Sequence, residues 1–131
     1  MSHEVTELRL VVTAPDYAEA VTFYRDVLGL PEQAAFSSED GNVTILEAGR
    51  ATLEITDPNH AAYIDQTEVG RRVAGQFRVA LQVTDATGLT RTLEGAGATV
   101  IAEPTRTPWN SLNARLETPG GIQLTLFEEL G

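Results

Sequence analysis

LRLVVTAPD at Leu8–Asp16 and FRVALQVTD at Phe77–Asp85 decide the fold, because the chain states one plan twice. Each run alternates as a half-buried strand does and ends on an acidic residue suited to cap a following helix. Arg9 and Arg78 hold equivalent places, as do Asp16 and Asp85, and both pairs are 69 residues apart. Each half then closes on a similar strand pair, VTILEAGRATLEIT from Val43 and ARLETPGGIQLTLF from Ala114. A duplicated unit of this kind usually builds one cavity between its two copies.

Working outward, the spacing of Ala20, Val21, Phe23, Tyr24, Val27 and Leu28 predicts a helix from Asp16 to about Leu28, stopped by Gly29 and Pro31. Residues 37–42 (SSEDGN) read as a turn between strands, Val43–Glu47 and Ala51–Thr56 as a hairpin, and residues 59–76 as a short helix or ordered loop joining the halves. The second half predicts a strand at Phe77–Val83, a weaker helix at Ala86–Gly95, and strands at Thr99–Ala102, Ala114–Glu117 and Ile122–Phe127. Pro104–Asn110 reads as a loop and residues 118–121 as a turn. Residues 1–131 thus form a single α+β domain of two βαβββ modules, about 5–58 and 77–128.

Composition narrows the function. A net charge of −10, with nine arginines, no lysine and nineteen acids, argues against a nucleic-acid partner. No apolar run reaches the ~20 residues of a membrane span, and the first residues lack the pattern of a signal peptide, so a cytoplasmic location is expected. The absence of cysteine removes disulfides, thiolate catalysis and cysteine-held metals.

FYRDVLGL (Phe23–Leu30), after a strand ending in Asp, and TPGGIQLTLFE (Thr118–Glu128) resemble the signatures of the vicinal-oxygen-chelate superfamily of glyoxalase I, bleomycin-resistance proteins and extradiol dioxygenases. The resemblance spans nearly the whole chain. It implies a curled mixed sheet forming a cup with helices on its outer face, a ligand inside, and a homodimer. It also implies four metal-ligand positions, His or Glu in the first strand of each module and Glu in the last. These fall on Arg9, Glu54, Arg78 and Thr125. A guanidinium offers donors only and Thr is a poor ligand, so neither a metal nor another cofactor is expected.

Strand parity puts Arg9, Val11, Thr13, Glu54, Thr56, Arg78, Ala80, Gln82, Asn113, Arg115, Thr125 and Phe127 on the face away from the helices. That mixture suits a ligand cavity, and it also suits a solvated sheet face. Arg9, Glu54, Arg78, Gln82, Trp109, Arg115, Thr125 and Phe127 are the candidate ligand-binding residues. Trp109, in its Pro-bounded segment, is a candidate lid or pocket wall. Phe127 could stack on a planar ligand or pack at a subunit boundary. Arg9, Arg78 and Glu54 read either as a clamp for an anionic or carbonyl group or as a structural charge network. His3 and His60 lie outside the matched positions and read as surface residues. Two functions follow: a metal-free binder of a small molecule, or a lyase or isomerase with Glu54 as catalytic base.

Overall fold

The computed structural model describes residues 4–119 and 121–131, so His3 and Gly120 lie outside the described residues. The first module runs β1 (Val5–Thr13), α1 (Tyr17–Val21), β2 (Glu32–Ser38), β3 (Gly41–Ala48) and β4 (Ala51–Thr56). Helix α2 (Pro58–Glu68) joins it to β5 (Phe77–Val83), α3 (Ala86–Gly95), β6 (Thr99–Arg106), β7 (Ser111–Glu117) and β8 (Gln123–Glu129). All eight strands form one mixed sheet in the order β2-β3-β4-β1-β5-β8-β7-β6. The modules meet at the antiparallel pair β1–β5, while β1–β4 and β5–β8 are parallel.

The capping aspartates start both module helices. Asp16 accepts from the Glu19 amide at 3.0 Å, and Asp85 from the Gly88 amide at 2.9 Å. Regular α-helix in the first module ends at Val21, and Thr22–Val27 continues as a π-helical turn closed by the Leu28 amide on the Phe23 carbonyl. The sequence period could not show this, because a widened turn leaves the spacing of apolar residues nearly unchanged.

Both module helices cover one face of the sheet. Val12, Leu46, Leu53 and Ile55 pack with Val21 of α1 and with Tyr17 and Tyr24. In the second module Val83, Leu116, Leu124 and Leu126 pack with Ala86, Leu89 and Leu93 of α3. Each fully buried side chain of this size contributes about 1.5–3 kcal/mol, so these two clusters hold the sheet to its helices. The segment 104–110, expected as a loop, is shorter than that, because β6 extends through Pro104 to Arg106. A proline is tolerated there because β6 is the last strand of the sheet. The turn expected over 37–42 likewise narrows to Glu39–Asp40.

Helix α2 lies against the opposite, inner face and is fastened at both ends. At its start Asp57 accepts from the His60 amide (2.8 Å) and from both the amide and the side chain of Asn42 on β3 (3.1 and 2.8 Å). These bonds outweigh the effect of burial and hold the Asp57 carboxyl below its usual range. At its far end Asp65 and Glu68 meet Arg115 of β7 at 2.8 and 2.7 Å, and Glu68 also accepts from Asn113. Gly41 makes the close approach at the first anchor possible. Its φ is +104°, and a Cβ there would stand 2.4 Å from the His60 nitrogen. Gly41→Ala is therefore expected to cost about 3 kcal/mol, from backbone strain and a clash with another main chain. A urea titration showing a loss under 1 kcal/mol would contradict this account of the anchor.

Candidate functional site

The part of the inner face that α2 leaves open, together with residues of α2, lines a cavity of about 460 Å³. Its floor comes from four adjacent strands. Val11 of β1 pairs with Glu54 of β4 on one side and with Arg78 of β5 on the other, while Ala80 pairs with Arg9 and with Thr125 of β8. Equal parity turns Arg9, Glu54, Arg78 and Thr125 to the same side, and all four line the cavity. Val11, Ala80 and Phe127 form the small apolar cluster between them.

The charges on this floor are unequally satisfied. Arg9 binds Glu7 at 2.5 Å, lies 3.6 Å from Glu54 and sits over the Phe127 ring at 5.1 Å. Arg78 is only 9% exposed and donates to the neutral hydroxyl of Thr125 at 2.9 Å. Its other N–H donors make no hydrogen bond among the described residues, and the nitrogens that carry them are not fully buried. Burial pulls the Arg78 pKa below its usual value, with Glu68 and Glu54 opposing that shift and Arg115 adding to it; the group is still a cation at any physiological pH. The Glu54 carboxylate accepts no hydrogen bond among the described residues, its nearest cation being Arg9 at 3.6 Å.

The walls are mostly apolar. Phe36, Val43 and Ile45 come from the first module, Ile64 from α2 and Trp109 from the β6–β7 turn. That turn is firmly held. Thr107 Oγ1 bonds the Ser111 hydroxyl at 2.8 Å, and Asn110, at φ 63°, receives Arg106 on its side chain and donates to the Gly131 carbonyl. Trp109 is thus presented by a fixed turn, with Tyr63 of α2 6.2 Å behind its ring.

Of the residues singled out by sequence, Arg9, Glu54, Arg78, Trp109, Thr125 and Phe127 are brought together here. Gln82 and Arg115 share the face but do not line the cavity. Arg115 is fully buried beneath α2, its two Nη atoms donating to Asp65, Glu68 and Gln123 while its Nε is buried with no partner among the described residues. Gln82 lies toward the end of β5, opposite Glu7 and Phe127. His60, read as a surface residue, instead lines the cavity, and its Nδ1 is buried with no partner. The only signal for it was its place just after the capping motif Asp57-Pro58, which would have started a helix there.

The four floor positions do not fit a divalent metal. Two carry guanidiniums, which have no lone pair to give, and Thr125 already accepts from one of them. Among the described residues no three His, Cys, Asp or Glu side chains are grouped to hold a metal ion. No helix among them is long and apolar enough to cross a membrane.

A sequence model described as the Glyoxalase/Bleomycin resistance protein/Dioxygenase superfamily matches residues 8–126. No curated protein matches the chain. Among solved structures, methylmalonyl-CoA epimerase from Mycobacterium tuberculosis is similar with a TM-score of 0.71 and 19% identity, over 100% of this chain and 93% of that one. The Streptomyces coelicolor methylmalonyl-CoA epimerase bound to 2-nitronate-propionyl-CoA gives 0.70 and 19%, over 99% and 100%. A superfamily member from Vibrio splendidus gives 0.68 and 12%, over 94% and 98%. At these identities the likeness is one of fold.

Proposed function

The chain belongs to the Glyoxalase/Bleomycin resistance protein/Dioxygenase superfamily, and we propose that it serves there as a small-molecule-binding protein that holds its ligand in the cup without the usual metal. The observation that carries this reading is Arg78. A cation so deeply buried, with one neutral hydrogen bond, leaves donors directed at an open cavity. These donors keep some access to solvent, and a ligand carbonyl or carboxylate oxygen would accept from them with a charge-assisted hydrogen bond. The apolar walls supply the remaining contact area.

The test is a thermal-shift screen across metabolites and antibiotics, followed by the fluorescence of Trp109, the chain's one tryptophan. A ligand at a hundred times its Kd adds about 2.7 kcal/mol, enough to raise Tm by several degrees. Hits should carry a carbonyl or acidic oxygen and change the Trp109 emission. A screen whose hits leave Trp109 unaffected would place binding elsewhere and sink the reading. A homodimer belongs to the same proposal; Leu8 and Leu10 stand 44% and 38% exposed on the outer face, and sedimentation would read the state.

Glu54 supports a second reading, a lyase or isomerase acting on a small oxygenated metabolite. A cavity-lining carboxylate with no hydrogen bond of its own is free to take a proton, and Arg9 and Arg78 stand ready to stabilise the resulting oxyanion. The fold likeness to two epimerases agrees with such chemistry. Deuterium wash-in from D₂O into a bound hit separates the two. Glu54→Gln should slow exchange by about a hundredfold or more, whereas a pure binder shows no exchange and only a small change in Kd.

A further inference from the structure

Taking the cavity as the ligand site, we infer that it selects a free aromatic monocarboxylate of one or two rings that also carries a hydrogen-bond donor, such as a ring hydroxyl, close to the acid. The inference rests on the binding reading above and specifies the chemistry of the ligand.

The charge count comes first. Two cations line the floor, but Arg9 is already matched by Glu7 and faces Glu54. Arg78 and the two Nη atoms of Arg9 keep donors that make no hydrogen bond among the described residues. Glu7 already stands against Arg9, so one acid group on the ligand is enough for these donors. A phosphate dianion would bring a second charge into a space also lined by Glu54, Glu68 and Glu129, and no further cation lines the cavity to meet it. The same argument disfavours a ligand with a nucleotide or polyphosphate handle. The chain has no lysine and a net charge of −10, and Arg9 and Arg78 are the only arginines among the described residues that line the cavity. The acid is therefore taken as free.

Shape and polarity supply the rest. Glu54 accepts nothing from the protein and lies across Val11 from Arg78 in the strand register, so a donor beside the ligand's carboxylate would meet it. Phe36, Trp109 and Phe127 line a largely apolar space, which suits a ring better than a flexible chain. The Trp109 turn is pinned before any ligand arrives, so little ordering cost falls on binding.

Calorimetry on the full chain with five probes tests this: 3-hydroxybenzoate, whose hydroxyl cannot bond its own carboxylate, benzoate, cyclohexanecarboxylate, benzamide and phenyl phosphate. 3-Hydroxybenzoate should bind tightest, benzoate next, and benzamide at least about tenfold more weakly than benzoate. Cyclohexanecarboxylate and phenyl phosphate should also fall below benzoate. In Arg78→Gln, checked for folding by circular dichroism, the benzoate-to-benzamide preference should vanish. In Trp109→Ala the preference for benzoate over cyclohexanecarboxylate should shrink. Benzamide or phenyl phosphate equalling benzoate overturns the monoanion argument, and an unchanged ratio in Arg78→Gln overturns the assignment to Arg78. If no acid binds, the ligand class is wrong. The binding reading then still stands if another compound in the screen perturbs Trp109, and falls if none does.

Discussion

Arg115→Met is expected to lower the unfolding free energy at pH 7 by about 3–5 kcal/mol, a large share of the ~5–15 kcal/mol available to a domain of this size. The guanidinium is fully buried and donates to Asp65 at 2.8 Å, to Gln123 at 2.6 Å and to Glu68 at 2.7 Å. Removing it strands two buried carboxylates. Asp65 keeps the amides of Val73 and Ala74 and the side chain of Arg72, whereas Glu68 keeps only Asn113 among the described residues, so the damage concentrates at the end of α2. Since α2 carries His60 and Ile64 on the cavity wall, binding should weaken along with stability.

The pH dependence gives this prediction a second, independent edge. Burial alone would raise the Asp65 pKa, but the Ala74 amide, Arg115, the Val73 amide and Arg72 together lower it to about 2. A depressed folded value stabilises the protein above the unfolded value near 4, and that contribution disappears as pH falls toward 2. In Arg115→Met the Asp65 carboxylate loses one of its two cations and takes up a proton more readily, and protonation relieves the buried charge. The deficit relative to the native chain should therefore be greatest near neutrality and shrink below about pH 4. Urea titrations at pH 7 and pH 3.5 would read it. A loss under 1 kcal/mol at neutrality, or one that grows on acidification, would show that the network does not hold α2 in place.

The contrast between Arg115 and Arg78 also marks what the sequence could convey. Strand parity correctly put both on the inner face, because side chains alternate with a period of two and the duplicated motif sets the register. Parity says nothing of what covers that face. The covering element is α2, whose mixed sequence PNHAAYIDQTE carries no clear apolar stripe. It is held by a buried ion network rather than by periodicity, so a segment read as a connector turns out to cover part of the cup and line its cavity. Arg115 and His60 consequently exchanged their expected places. One candidate ligand residue became an anchor, and one surface residue became part of the wall. Arg9 and Arg78 were legible because the repeat aligned them, and Glu54 and Thr125 because the family resemblance put ligand positions there.

That alignment supports the strongest gain of function expected here. The family resemblance places metal ligands at these four positions, and only Glu54 is of the right kind. They lie on four neighbouring strands, with Glu54 and Arg78 flanking Val11 and with Arg9 and Thr125 flanking Ala80. Arg9→His, Arg78→His and Thr125→Glu together would turn the floor into two imidazoles and two carboxylates, a donor set suited to Zn²⁺ or Ni²⁺. The native chain should show no thermal shift with either ion at tens of micromolar, because two guanidiniums repel a dication and offer it no lone pair. The triple variant should bind with at least roughly a thousandfold higher affinity. At a hundredfold excess over its Kd, metal would add about 2.7 kcal/mol to its stability, reversed by chelator. The same changes remove the buried Arg78 cation, so benzoate binding should fall as metal binding rises. One equivalent of tightly held metal in the native chain would defeat the donor argument. A folded triple variant indifferent to metal would show that the four side chains do not converge closely enough to share one ion, and the clamp attributed to Arg78 and Glu54 would fail with it.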